Sequence, residues 1–182
     1  MIQAHALAVR GDDCYETPEV ATEALLRAEK LPPVIWECAR GPGAIVRVLR
    51  SHGHQLYATD LVDYDSRDQD MGGWDFLQQQ QLPIGVQAIV TNPPFKLANQ
   101  FVAHAIQLCP KVIMLARLAF LESEVRTPIL EGGKLARVHV FRKRLPMMHR
   151  LGWTGPKATS ATAYAWLVWD ADHNGPTELH RL

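Results

Sequence analysis

Asn92 stands where an apolar run meets two prolines and an aromatic ring, in Ala88-Ile89-Val90-Thr91-Asn92-Pro93-Pro94-Phe95. Residues 87–90 read as a short, β-branched, buried strand. The prolines must end it, because they supply no N–H and fix φ. A proline also forces the residue before it into an extended conformation. Asn92 therefore leaves the strand end as a stiff projection. Its amide and the Pro93 carbonyl can accept hydrogen bonds from one planar NH2 group. Phe95 can lie flat on the ring that carries that group. Such an amine is a poor nucleophile, since its lone pair is delocalised into the ring. Acceptors on its two hydrogens pull it toward tetrahedral geometry and stabilise the charge that develops as it attacks. Stacking on an aromatic side chain orients a base at roughly 1–3 kcal/mol. A bare Asn-Pro-Pro-Phe also serves as a plain strand-ending turn, so its context has to decide.

The elements around it have a clear rhythm. Residues 17–29 have helical character, with Thr17 as N-cap, Pro18 in the first turn, and Val20, Ala24 and Leu25 as an apolar stripe. Residues 34–38 read as a first buried strand. Residues 44–50 form a helix with Ile45, Val48 and Leu49 on one side, and 55–59 a second strand finishing at Asp60. Residues 62–73, rich in Asp and Gly, form a surface loop, and 74–81 a short helix. Residues 97–108 are helical with Phe101, Ala105 and Leu108 inward, and 111–115 form another strand. Residues 135–141 and 163–169 are the last two strands, joined by a loop with no helix of its own. Alternating strands and helices predict an α/β fold of three layers with a mostly parallel sheet. The last two strands predict an antiparallel hairpin at one edge. In open sheets of this kind ligands sit at the carboxyl ends of the strands, and Glu37, Asp60 and Asn92 all fall at such ends.

The first strand leads into Glu37-Cys38-Ala39-Arg40-Gly41-Pro42-Gly43. Gly41 and Gly43 let the backbone turn tightly and approach a ligand with no Cβ in the way. The dinucleotide pattern Gly-x-Gly-x-x-Gly is not met. Asp60 lies about one β-α-β step later, the distance at which an acid meets ribose hydroxyls.

Asn92-Pro93-Pro94-Phe95 resembles motif IV of the amino-group methyltransferases that use S-adenosylmethionine. The glycine turn is similar to motif I of that family, with Cys38 where a proline usually follows the acid. Tyr15-Glu16-Thr17-Pro18 is similar to the Tyr/Trp-x-Thr-Pro element of small phage and plasmid adenine-N6 DNA methyltransferases. The resemblance spans roughly residues 14–169 and implies the Rossmann-like class I methyltransferase fold. It implies that Asn92, Pro93, Pro94 and Phe95 are catalytic. It implies a cofactor site made by Tyr15, Thr17, Pro18, Glu37, Cys38, Ala39, Gly41, Gly43, Asp60, Asp75 and Phe76. Asp75 would take the adenine amino group of S-adenosylmethionine and Phe76 would wall its pocket. Asp75 reads equally as a cap on the helix it begins, and capping alone also accounts for Thr17.

Composition is that of a globular chain, with 182 residues, 47% hydrophobic, 21% charged and no net charge. One domain over residues 1–182 is expected, without a separate target-recognition domain. No apolar run approaches a membrane span, and the first residues lack the basic-then-apolar pattern of a signal peptide. Cys14, Cys38 and Cys109 read as reduced thiols of a cytoplasmic protein. From Gly132 to Trp169 there is no acid, while Lys134, Arg137, Arg142, Lys143, Arg144, Arg150 and Lys157 are present, with His139, His149 and Trp153 among them. Arg142, Lys143, Arg144, Arg150, Trp153 and Lys157 are the candidate phosphate-contact surface, or a solvated basic face. A Pro-Cys nucleophile, a zinc deaminase signature and a Walker loop are all missing. His52, His54, His104, His173 and His180 have no ligand spacing, so no metal is expected. Met147-Met148 could wedge into a base stack, but packing is the commoner use.

The resulting expectation is an S-adenosylmethionine-dependent adenine-N6 methyltransferase acting on DNA by base flipping. The alternatives are methylation of RNA adenine or of protein glutamine, or a non-catalytic nucleic-acid-binding protein on the same fold. The glutamine enzymes more typically carry Tyr where Phe95 stands.

Overall fold

Seven strands, β1 (Val34–Glu37), β2 (Gln55–Ala58), β3 (Ala88–Thr91), β4 (Lys111–Arg117), β5 (Leu135–Val140), β6 (Tyr164–Asp170) and β7 (Glu178–Arg181), form one sheet. Their order is β2-β1-β3-β4-β6-β5-β7. The structure is a computed structural model and describes residues 15–64, 68–147 and 162–182. Strands β2, β1, β3 and β4 run parallel. β6 enters antiparallel between β4 and β5, so the predicted hairpin is present. Beyond it lies β7, parallel to β5.

The pleat sorts alternate side chains into two cores. Ile35, Val90, Ile113, Leu115, Trp166 and Val168 face one way, onto α1 (Glu19–Ala28) and α2 (Ala44–Ser51). Trp36, Ile89, Val112, Met114, Leu167 and Trp169 face the other, onto α3 (Ala98–Leu108). Strands covered on both faces are apolar at almost every position, as β3 and β6 are. Three buried tryptophans also tie elements together by their indole N–H groups. Trp36 donates to Thr59 Oγ1 at 2.9 Å, Trp166 to the Ala21 carbonyl in α1 at 2.8 Å, and Trp169 to the Ile129 carbonyl at 2.7 Å. Ile129 belongs to α4 (Thr127–Leu130), inside a stretch where the sequence had shown no element.

Two boundaries differ from expectation for local reasons. Residues 74–81 hold a single 3₁₀ turn, Phe76–Gln78, and no longer helix. The Asp75 side chain accepts from Leu77 N at 3.0 Å, and Gln79 is already extended. The first helix begins at Glu19 with Pro18 as its cap residue and no side-chain cap, so Thr17 does not act as the N-cap. β7 was not anticipated because all four of its residues are exposed, and no alternation marks it.

The amino end of the sheet is closed by a charge cluster. Glu29, 6% exposed, accepts from Arg137, from His139 Nε2 at 2.8 Å and from Lys111 at 3.3 Å. Arg137 also reaches Asp170 at 3.2 Å. Burial pushes the Glu29 carboxyl up, but the hydrogen bonds from His139 and Arg137 and the nearby charges hold it at about 2. Arg137 and His139, drawn from the acid-free segment, are therefore structural partners of α1. His104, expected at the surface, packs its ring edge-on against Phe76 at 5.0 Å.

Candidate active site

The carboxyl ends of β1, β2 and β3 open into one cavity of about 610 Å³. Its wall is built from the glycine turn, the end of β2, the turn at Asp75, the segment before α1 and the Asn92 loop. Tyr15, Thr17, Cys38, Ala39, Gly41, Asp60, Asp75, Phe76, Asn92, Pro93, Pro94 and Phe95 all line it. Pro18, Glu37 and Gly43 stand behind the wall.

The glycine turn is stitched to the end of β2. Arg40 N donates to the Thr59 carbonyl at 3.1 Å, and Gly41 N to Asp60 Oδ2 at 2.8 Å. The other Asp60 oxygen accepts from Val62 N at 2.8 Å. A carboxylate offers about four lone-pair sites, so both oxygens retain capacity for a diol. Gly43 sits at φ +90°, and a Cβ there would lie 3.1 Å from Arg40 Nη2. The left-handed φ favours glycine at that point, and a Cβ would also crowd the Arg40 guanidinium.

Glu37 supports the turn from behind. One oxygen accepts from Ala39 N at 3.1 Å, and the other is buried close to the Thr91 hydroxyl. Burial pushes the Glu37 carboxyl up to about 8, outweighing the hydrogen bonds from Thr91 and Ala39 N, and the charge of Asp60 adds to the rise. Burial and then Glu37 push the Cys38 thiol well up, so Cys38 is apolar wall and not a nucleophile.

The Asn92 carboxamide is fixed in orientation. Nδ2 donates to the Tyr15 carbonyl at 3.0 Å and to Thr17 Oγ1 at 3.0 Å. A carbonyl can only accept, so the nitrogen must face Tyr15. Both amide hydrogens are then committed, and buried Oδ1 has no partner among the described residues. The Pro94 carbonyl is taken by Leu97 N at 2.9 Å. Phe95 stacks with Tyr15 at 5.4 Å and 25°, and approaches Tyr164 at 5.9 Å. The Arg117 guanidinium stands 4.4 Å over the same ring.

The sequence reading missed Arg117 and Tyr164. They face each other across β4 and β6, and only the strand order reveals that pairing. It also missed Arg40, Tyr64, Trp74 and Lys96, which line the cavity. Arg40 lies inside the very motif that was singled out, and its burial at 4% exposure had no sequence signal. Of the basic candidates, Arg142, Lys143 and Arg144 are exposed just past β5. β5 runs parallel to β4 through the antiparallel β6, so these three leave the sheet at the cavity end. Arg150, Trp153 and Lys157 lie outside the described residues, as do Cys14, Met148 and His149. Met147 is buried in the core. Among the described residues no group of His, Cys, Asp or Glu could hold a metal ion, and no helix is long and apolar enough to cross a membrane.

The residues present fit S-adenosylmethionine. A diol-capable carboxylate at Asp60 and the close backbone of Gly41 line one side of the cavity, with Glu37 and Gly43 supporting the turn from behind.

No protein-family model matches the chain, and no curated protein matches it in sequence. Solved structures do. A protein of Pyrococcus horikoshii, assigned provisionally as an RNA methyltransferase, superimposes with a TM-score of 0.62 at 17% identity, covering 86% of this chain and 87% of that one. A modification subunit of a provisionally assigned type I restriction enzyme from Vibrio vulnificus gives 0.62 at 13% identity, covering 94% of this chain and 48% of that one. The 23S rRNA methyltransferase ErmE gives 0.58 at 16% identity, covering 87% and 70%. With its parallel strands, its antiparallel hairpin and its flanking helices, the chain has the Rossmann-like fold of the class I methyltransferases.

Proposed function

We propose that the protein is an S-adenosylmethionine-dependent adenine-N6 methyltransferase that acts on DNA by base flipping. One observation carries the reading. The Asn92 amide has spent both hydrogens on Tyr15 and Thr17, and its buried oxygen is left as an acceptor beside Phe95. Extruding the target base costs a few kcal/mol.

Asn92 Oδ1 accepts one hydrogen of the target NH2, and the Pro93 carbonyl accepts the other. Together they hold the amine and stabilise the positive charge that grows on it. Phe95 orients the base once the Arg117 guanidinium that stands over its ring gives way, with Tyr164 at the margin. Asp60 would hold the ribose hydroxyls of the cofactor, Asp75 its adenine amino group, and the backbone at the start of α1 its carboxylate. The bound cofactor supplies a methyl group made electrophilic by a sulfonium. No covalent link to the protein is required. Arg142, Lys143 and Arg144, exposed at the cavity end, suit a phosphate backbone. The nucleic-acid enzymes among the structural neighbours support that substrate class.

The test is transfer of a tritiated methyl group to genomic DNA, bulk RNA and cell protein, side by side. Label at adenine N6 of DNA is the expected result. Asn92→Ala abolishes it while leaving cofactor affinity nearly intact in calorimetry. Label in RNA alone or in protein alone refutes the DNA assignment. Cofactor binding without transfer to any polymer, or near-normal turnover by Asn92→Ala, refutes the catalytic reading.

A further inference from the structure

The segment just before α1 shows an unusual use of its side chains. Thr17 precedes a helix yet does not cap it. It is 5% exposed, and its hydroxyl oxygen instead accepts from Asn92 Nδ2 at 3.0 Å. Two residues earlier, the Tyr15 carbonyl takes the other amide hydrogen, and the Tyr15 ring stacks on Phe95. Two residues of one short segment, Tyr15 and Thr17, thus brace both Asn92 and Phe95 from across the fold.

An amide flip exchanges O and N with almost no change of shape, so packing alone cannot choose between the two orientations. Hydrogen bonds can. In the flipped state the amide oxygen would face the Tyr15 carbonyl oxygen at about the same separation, where two acceptors repel. The outward NH2 would then meet the target amine donor to donor. We infer that the Tyr15 carbonyl chooses the orientation of the Asn92 carboxamide and that Thr17, a positioning residue, takes the second amide hydrogen and locks the group there with its oxygen left for the target amine. The inference rests on the proposed function, and it gives Thr17 a role distinct from contact with the cofactor. Asn92 Oδ1 is buried and without a partner among the described residues, so an incoming donor would satisfy it.

The test compares Thr17→Val, which keeps the shape and removes the acceptor, with Thr17→Ser, which keeps the hydroxyl. Three quantities are read: kcat, cofactor Kd by calorimetry, and hydrogen exchange of the Asn92 side-chain NH2 by NMR. Thr17→Val is expected to lower kcat at least ~10-fold with Kd changed less than ~2-fold, and Thr17→Ser to stay within ~3-fold of the parent. The NH2 protons exchange slowly in the parent and in the Ser variant, and fast in the Val variant. A Val variant with parental kcat and protected NH2 protons overturns the inference and leaves the proposed function standing. A Kd that weakens in step with kcat overturns it in favour of a direct cofactor contact. If the parent methylates nothing, the proposed function has failed. The exchange measurement then still decides whether the lock exists.

Discussion

Replacing Asn92 by Asp exchanges one NH2 for an oxygen and little else. Two contacts of 3.0 Å are affected, one to Thr17 Oγ1 and one to the Tyr15 carbonyl. The Thr17 hydroxyl can turn and donate to the new carboxylate, so that contact survives. The Tyr15 carbonyl cannot donate. It loses its partner and faces a negative oxygen instead. Leaving such a group unsatisfied costs about 1–3 kcal/mol. For a domain of this size 1 kcal/mol shifts Tm by ~2–4 °C, so the deficit is roughly 2–12 °C. The variant has one escape, which is to take up a proton and donate its O–H to Tyr15. That preference raises the folded-state pKa of the new carboxyl above its unfolded value. Stability from this bond is then fully present below the unfolded pKa and lost as pH rises through the folded pKa. Thermal melts of parent and variant, from about pH 4 to about pH 8, test this directly. The Tm gap should be small in acid and widen toward neutrality, with methyl transfer falling over the same range. A gap that does not depend on pH, or no gap at all, refutes the assignment of the amide nitrogen to Tyr15.

Asp60→Ala removes the proposed ribose acceptor and frees Gly41 N. Cofactor affinity is expected to weaken at least tenfold, about 1.4 kcal/mol, and unchanged affinity in calorimetry removes Asp60 from the site. Two buried carboxyls give opposite pH signatures in the parent. Glu29 is held at about 2, so its stabilisation is present above the unfolded value of 4.5 and fades as pH falls toward 2. Linkage puts that contribution at about 3 kcal/mol. Glu37 is pushed up to about 8, so stability drains away as pH rises from 4.5 toward 8. Denaturant titrations should find Glu29→Gln losing the acid-limb slope and Glu37→Gln losing the neutral-limb slope. A Glu37→Gln profile that superimposes on the parent shows that this carboxyl is not protonated in the fold.

Much of the site could be seen in a few stretches of chain. Proline at 93 and 94 has to stop β3, whatever surrounds it, and Gly41 and Gly43 have to turn where no side chain is tolerated. Those are properties of neighbouring residues, and they put Asn92 and the glycine turn at strand ends before any packing is known. The limits appear where the partner is distant. The two acceptors that set the Asn92 amide lie 75 and 77 residues away. Thr17, which looks like a helix cap in isolation, spends its hydroxyl across that gap. Residues 74–81 looked helical until the Asp75 side chain took the Leu77 N–H and closed a single turn.

Local stiffness and alternating polarity, set by covalent geometry and by the period of the backbone, determined that this chain makes an α/β sheet with reactive residues at its strand ends. Sheet order is settled by which buried faces pack best against one another, and that is a sum over the whole molecule. Only the tertiary structure could therefore decide that β6 slips between β4 and β5, setting Arg117 opposite Tyr164 beside Phe95. The same packing drew Arg137 and His139 away from the basic segment into a buried cluster with Glu29. A desolvated carboxylate needs partners wherever in the chain they lie.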